Sequence, residues 1–167
     1  MSAPIIVTAL FGLDDFSWLQ GLRRAHYPPE RNLVPAHLTL FSHLPPSAER
    51  EIGARLSVYA QVPPPHARLA GLIDLGGGTA FRVESDELED LRADLAVALH
   101  GLLAAQDKGR WTPLVTIQNK VDPREAKRLQ QSLRANFELR PLVIKGLASW
   151  HYLGGPWQPL RTYSFRG

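Results

Sequence analysis

Pro35-Ala36-His37-Leu38-Thr39-Leu40-Phe41 and Thr112-Pro113-Leu114-Val115-Thr116-Ile117-Gln118 follow one local pattern at two places in the 167-residue chain. In each, a proline precedes a key position, a threonine stands two residues after that position, and aliphatic residues lie between. Side chains of extended chain alternate between faces, so His37, Thr39 and Phe41 share one face and Leu38 and Leu40 the other. The leucine face is the core face. An imidazole and a hydroxyl are then presented side by side on the opposite surface, about 7 Å apart along the strand. The second stretch keeps Thr116 but carries Leu114 where the first carries His37. Two such strands far apart in the chain predict two related halves facing one another across a cleft.

Outward from these stretches, strands and helices alternate. Ile5 to Phe11 is a β-branched apolar run, read as a buried strand. Asp14 or Asp15 is placed to cap a helix carrying Phe16, Leu19 and Leu22, which Pro28-Pro29 ends. After the His37 strand, Ser47 reads as the N-cap of a helix with Ala48, Ile52, Leu56 and Tyr59 on one side. Residues 67–75 and 79–84 read as a hairpin across Gly76-Gly77-Gly78. Those glycines precede a strand and lack Gly-Lys-Ser/Thr, so they are not read as a phosphate loop. Asp86 to Glu89 has capping-box spacing and opens a helix with Leu88, Leu91, Leu95, Leu99 and Leu102 in one stripe, closed by Asp107-Lys108-Gly109. The second key strand covers residues 114–120. Asp122-Pro123 then starts a helix burying Ala126, Leu129, Leu133 and Phe137, and two strands, 141–153 and 160–165, close the chain. Hairpins among alternating elements favour an α+β fold over a doubly wound sheet, as one domain spanning residues 1–167.

Composition narrows the function classes. Cysteine is absent, which excludes a disulfide framework and thiolate chemistry and suits the cytoplasm. No leader or membrane-length apolar run is visible, so the expectation is a cytoplasmic protein with no membrane partner. A net charge of +3 permits phosphate or nucleic-acid binding without indicating a basic clamp. There is no His-Glu-x-x-His, no Cys/His ligand cluster and no Gly-x-Ser-x-Gly, so zinc hydrolase and serine esterase chemistry lack support.

The two stretches, with their flanking elements, resemble the two-histidine phosphoesterases, which include the bacterial 2'-5' RNA ligase-like proteins. His37-Leu38-Thr39-Leu40 matches the family's His-x-Thr-x motif fully. Leu114-Val115-Thr116-Ile117, after Trp111-Thr112-Pro113, matches it except at the histidine. Tyr152-Leu153-Gly154-Gly155-Pro156-Trp157 is similar to the family's closing segment. The resemblance implies two pseudo-symmetric lobes of mostly antiparallel sheet, with helices packed outside and a cleft between.

It also implies acid/base chemistry on RNA-type phosphodiesters, 2',3'-cyclic phosphates or 2'-5' linkages, without metal or cofactor. One histidine takes a proton from the attacking water or hydroxyl and the other protonates the leaving oxygen, roles that suit imidazole. Carried onto this chain, His37 is one acid/base, and Thr39 and Thr116 are hydroxyls that bind and stabilise the phosphoryl group. Lys120 continues the Thr116 face and is a candidate phosphate contact, the alternative being a solvated strand end. Leu114 cannot transfer a proton, which implies reduced activity or a non-catalytic RNA or nucleotide-phosphate binding module. His43 and His151 read as surface or packing residues, not replacements. The expected partner is an RNA or nucleotide, and the expected state a monomer.

Overall fold

The computed structural model describes residues 3–166. It contains two four-stranded antiparallel sheets with four α-helices packed on them, the expected α+β class. The first sheet has the order β2-β1-β7-β8, formed by Leu38–Leu44, Ile5–Phe11, Ile144–Tyr152 and Trp157–Ser164. The second has the order β5-β4-β3-β6, formed by Leu114–Gln118, Thr79–Glu84, Arg68–Asp74 and Arg140–Pro141. The two orders correspond in their inner three strands, β2-β1-β7 to β5-β4-β3. In each half a strand leads through a helix (α1, Leu13–His26; α3, Asp86–Ala98) to the inner-edge strand, and a second helix follows (α2, Glu49–Tyr59; α4, Pro123–Ala135). The inner edges, β2 and β5, lie alongside each other and hold the two repeated stretches.

The helices cross between halves. α1 packs on β5, and its Trp18 ring meets Phe81 of β4 at 5.3 Å, with Phe137, beyond α4, stacked on Phe81 at 6.2 Å. Burial of Leu19, Leu69, Phe81, Val115 and Ile117 with Val7, Phe41 and Leu44 makes one continuous core across both sheets. Among the described residues, no helix is long and apolar enough to cross a membrane.

Several local expectations change. The N-cap of α1 is Gly12 and not Asp14 or Asp15; Asp15 instead turns inward, accepting from Val143 N–H at 2.8 Å and pairing with Arg140 at 3.0 Å. Ser47 lies in a 3-10 turn, and α2 starts at Glu49 without a side-chain cap. Ser85, one residue before the expected box, caps α3 by accepting from the Leu88 N–H. α3 stops at Ala98, so Leu102 falls outside the stripe and is exposed. At the carboxyl end three strands stand where two were expected.

Most relevant to the site, β2 begins at Leu38 and its pairing with β1 shifts register twice, between Ile5 and Val7 and between Val7 and Thr8. An inserted residue reverses side-chain parity along a strand. Leu40 and Phe41 are consequently both buried, and Phe41 does not share the face of His37 and Thr39. His43 is exposed.

The hairpin Gly76-Gly77-Gly78 is present and its backbone is engaged: Val121 N–H donates to the Gly77 carbonyl at 3.0 Å. A Cβ at Gly78 would run into the Gln118 carbonyl and the backbone of Asn119. Gly78→Ala should therefore part β4 from the end of β5 and cost about 1–3 kcal/mol, as overpacking does. An unchanged urea midpoint would contradict this account of the hairpin.

Candidate functional site

Edge strands present unpaired N–H and C=O groups, which buried backbone cannot leave unsatisfied. β2 meets this need with side chains from the second half of the chain. Trp111 Nε1–H donates to the Thr39 carbonyl at 3.1 Å, and Arg92 Nε–H to the Leu40 carbonyl at 3.1 Å. Asp107 accepts from the Ser42 N–H, the Ser42 hydroxyl and the His43 N–H at 2.8, 2.9 and 3.0 Å. In the reverse direction, Arg23 of α1 donates to the Thr116 carbonyl of β5 at 2.8 Å. The two inner edges are thus held side by side without a ladder between them, and a cavity opens at their junction.

That cavity, of about 230 Å³, is lined by His37, Thr39, Leu114 and Thr116, with Arg92 and Asp107 among the residues behind them. Four of the sequence-derived positions therefore meet in one place. Lys120 does not join them. It sits exposed in the turn after β5, at φ 61°, with its N–H donating to the Asn119 side chain at 2.9 Å. Gln118, on the same strand, is buried and accepts from the Thr79 hydroxyl at 2.9 Å. His151 lies apart, 3.7 Å from Glu49.

His37 is half-buried just before β2, with its ring 4.6 Å from that of Trp157. Its Nδ1 lies 2.8 Å from the Pro35 carbonyl. A carbonyl only accepts, so Nδ1 carries the hydrogen and Nε2 the lone pair. Desolvation pushes the imidazole pKa down to about 4, against the hydrogen bond to Pro35, and the nearby Arg23 charge acts in the same direction as burial. At neutral pH this group is an acceptor of protons and not a donor.

Arg92 is the functional candidate that motif reading misses. The residue is 7% exposed; its guanidinium lies over the Phe41 ring at 4.2 Å and the Trp111 ring at 5.6 Å, and donates through Nε and Nη2 to Leu40 and Asp107 backbone carbonyls. No hydrogen bond among the described residues engages Nη1. Among the described residues no side-chain nitrogen or oxygen is both fully buried and without a partner, and Arg92 is one of the residues that line this cleft. Burial lowers its pKa, while Asp107 opposes that shift. A sequence signal did exist: Arg92 stands four residues after Leu88 and three before Leu95, on the stripe α3 turns to the core.

The arrangement offers two hydroxyls, a guanidinium and a neutral imidazole around a small cavity. It can hold an anion and accept one proton, but Leu114 leaves the opposite wall without a proton donor.

The low pKa of His37 has a thermodynamic counterpart. Between about 4 and the ordinary 6.5 the unfolded chain binds more protons at this residue than the folded one. The contribution of His37 to stability is then full above pH 6.5 and is lost as pH drops through that window. His37→Gln should flatten this fall in denaturant titrations from pH 7 to pH 4. Equal slopes in the two proteins would show that His37 is not held neutral.

Comparisons with known proteins agree with the fold. Among solved structures, TT0787 of Thermus thermophilus matches at 15% identity and a TM-score of 0.64, over 98% of each chain. A protein described as a phosphoesterase matches at 14% identity and 0.62, over the full length of both. E. coli LigT complexed with 3'-AMP matches at 12% identity and 0.59, again over both whole chains. At such identities these likenesses speak for the fold alone. A search of curated proteins finds no match. The sequence profile of the 2'-5' RNA ligase superfamily matches residues 13–156, nearly the whole chain and both inner-edge strands. On that match the chain belongs to the 2'-5' RNA ligase superfamily.

Proposed function

We propose that the cleft receives an RNA-type phosphodiester, a 2',3'-cyclic phosphate or a 2'-5' linkage, between the hydroxyls of Thr39 and Thr116. The observation that carries this reading is the convergence of His37, Thr39, Thr116 and Arg92 on one cavity between the inner edges. Hydroxyl and guanidinium donors fixed before substrate arrives stabilise charge that builds on phosphoryl oxygens during transfer. Arg92 supplies a charge that does not vary near neutral pH, and a planar guanidinium suits phosphate. The complexes of E. coli LigT with 3'-AMP, ATP and NADP+ fit the same ligand class.

Hydrolysis of a cyclic phosphate needs two proton movements. A base takes a proton from water as its oxygen bonds to phosphorus, and an acid delivers one to the ribose oxygen that leaves. His37, neutral with Nε2 unprotonated, suits the first movement. The second belongs to the position held by Leu114. Absence of a general acid costs about 10²–10⁴-fold, so turnover is low. A second reading, a binding module that performs no chemistry, is favoured by the same leucine.

Assays on 2',3'-cyclic nucleotides and 2'-5'-linked dinucleotides discriminate between them. The chain as it stands should turn over slowly, His37→Ala should abolish that turnover, and Leu114→His should raise it by about 10²–10⁴-fold. Turnover in none of the three proteins, with phosphate still bound, would favour the binding module. Neither turnover nor phosphate binding would overturn both readings.

A further inference from the structure

The wall of the cleft is poor in groups that can give up a proton. Besides His37, its lining among the described residues holds no second histidine and no lysine, tyrosine, cysteine or glutamate. Its one carboxylate, Asp107, turns both oxygens to donors on Ser42 and His43 and stands as an acceptor. Its one guanidinium, Arg92, is a permanent cation, and the Trp111 N–H is engaged by the Thr39 carbonyl.

Displacement at phosphorus runs in line, with the attacking and leaving oxygens on opposite sides. A base at the β2 wall cannot also serve the leaving oxygen, which then falls toward the β5 wall and Leu114.

We infer that the cleft acts on phosphodiesters whose leaving group departs as a stable anion, of which a phosphoanhydride is the biological form, and discriminates against those that must release a ribose hydroxyl. The inference rests on the phosphate reading above and narrows its substrate class. Water forms its bond to phosphorus as Nε2 of His37 takes one of its protons. The bond to the leaving oxygen breaks, and its electron pair stays on that oxygen. The imidazolium then returns its proton to solvent. A phosphate leaving group has a second pKa of about 6 and is stable unprotonated at neutral pH. A ribose alkoxide is not, and needs the acid that Leu114 cannot supply.

Measurements of kcat/KM on deoxynucleoside 3'-aryl phosphates made from phenols of graded acidity, with a dinucleoside pyrophosphate and a 2'-5'-linked dinucleotide beside them, test this. In the chain as it stands the rate should fall by about 10²–10⁴-fold from the most to the least acidic phenol, the span a general acid otherwise supplies. The pyrophosphate should outpace the dinucleotide by a similar factor. Leu114→His should level the series, raising the slow members by about 10²–10⁴-fold and leaving the fast ones near their original rate. Leu114→Met, which alters the side chain without adding a proton donor, should keep the steep dependence.

A series already level in the unaltered chain would overturn the inference, since it would reveal an acid elsewhere in the cleft. A pyrophosphate no faster than the 2'-5' dinucleotide would overturn the phosphoanhydride assignment. Calorimetric binding of inorganic phosphate with no ester or anhydride hydrolysed would overturn the inference and leave the phosphate cleft standing. If phosphate does not bind either, the phosphate reading fails and this inference fails with it.

Discussion

Two β-strands lie edge to edge at the centre of this protein without hydrogen bonding to each other, and the rest of the architecture answers that constraint. Had β2 and β5 paired, the eight strands would form one sheet and the gap between His37 and Thr116 would close. Each edge instead finds partners among side chains from the other half: Trp111, Arg92 and Asp107 on β2, and Arg23 on β5. The pattern is reciprocal, because α1 and α3 occupy equivalent places and each sends an arginine across the midline. Guanidinium groups suit this task, since they carry several donors in a rigid plane and remain charged when buried. The same contacts hold the two halves at the separation that leaves a cavity of about 230 Å³.

The near-symmetry of the fold makes its chemical asymmetry plain. One inner edge carries His37 and Thr39 next to an aromatic pocket; the other carries Leu114 and Thr116, with Arg82 opposite Leu114 across the β4–β5 ladder. Hydroxyls stand on both inner edges, whereas an imidazole stands on one. Desolvation sharpens that division by keeping His37 neutral.

The fold class, the order of elements and the pairing of His37, Thr39, Leu114 and Thr116 were legible in the sequence because they depend on local rules. Period-two alternation, a proline at each approach and helical leucine spacing each act within a few residues. The features that escaped depend on distant partners. Nothing near Phe41 announces that β1 will shift register against β2 and turn that ring inward. Asp107, read as the end of a helix, is buried because it serves Ser42 and His43 from 64 or 65 residues away. Lys120 follows the strand alternation on paper, but the chain leaves the strand at Gln118 and turns through a positive φ. The arginines had a legible signature that motif reading passed over. Arg23 lies four residues after Leu19, and Arg92 four after Leu88, so both are charges on buried faces of otherwise ordinary helices. A charge in that position needs a partner in the interior, and here the partners are the carbonyls of the two inner edges.

The central claim is that β2 and β5 aim their polar groups at one shared anion site. A phosphate titration followed by NMR, observing the His37 ring, the Thr39 and Thr116 amides and the Arg92 side chain together, tests it most directly. All four signals should shift along one saturation curve with a common dissociation constant. Shifts confined to one strand, or different constants for the two strands, would contradict a shared site.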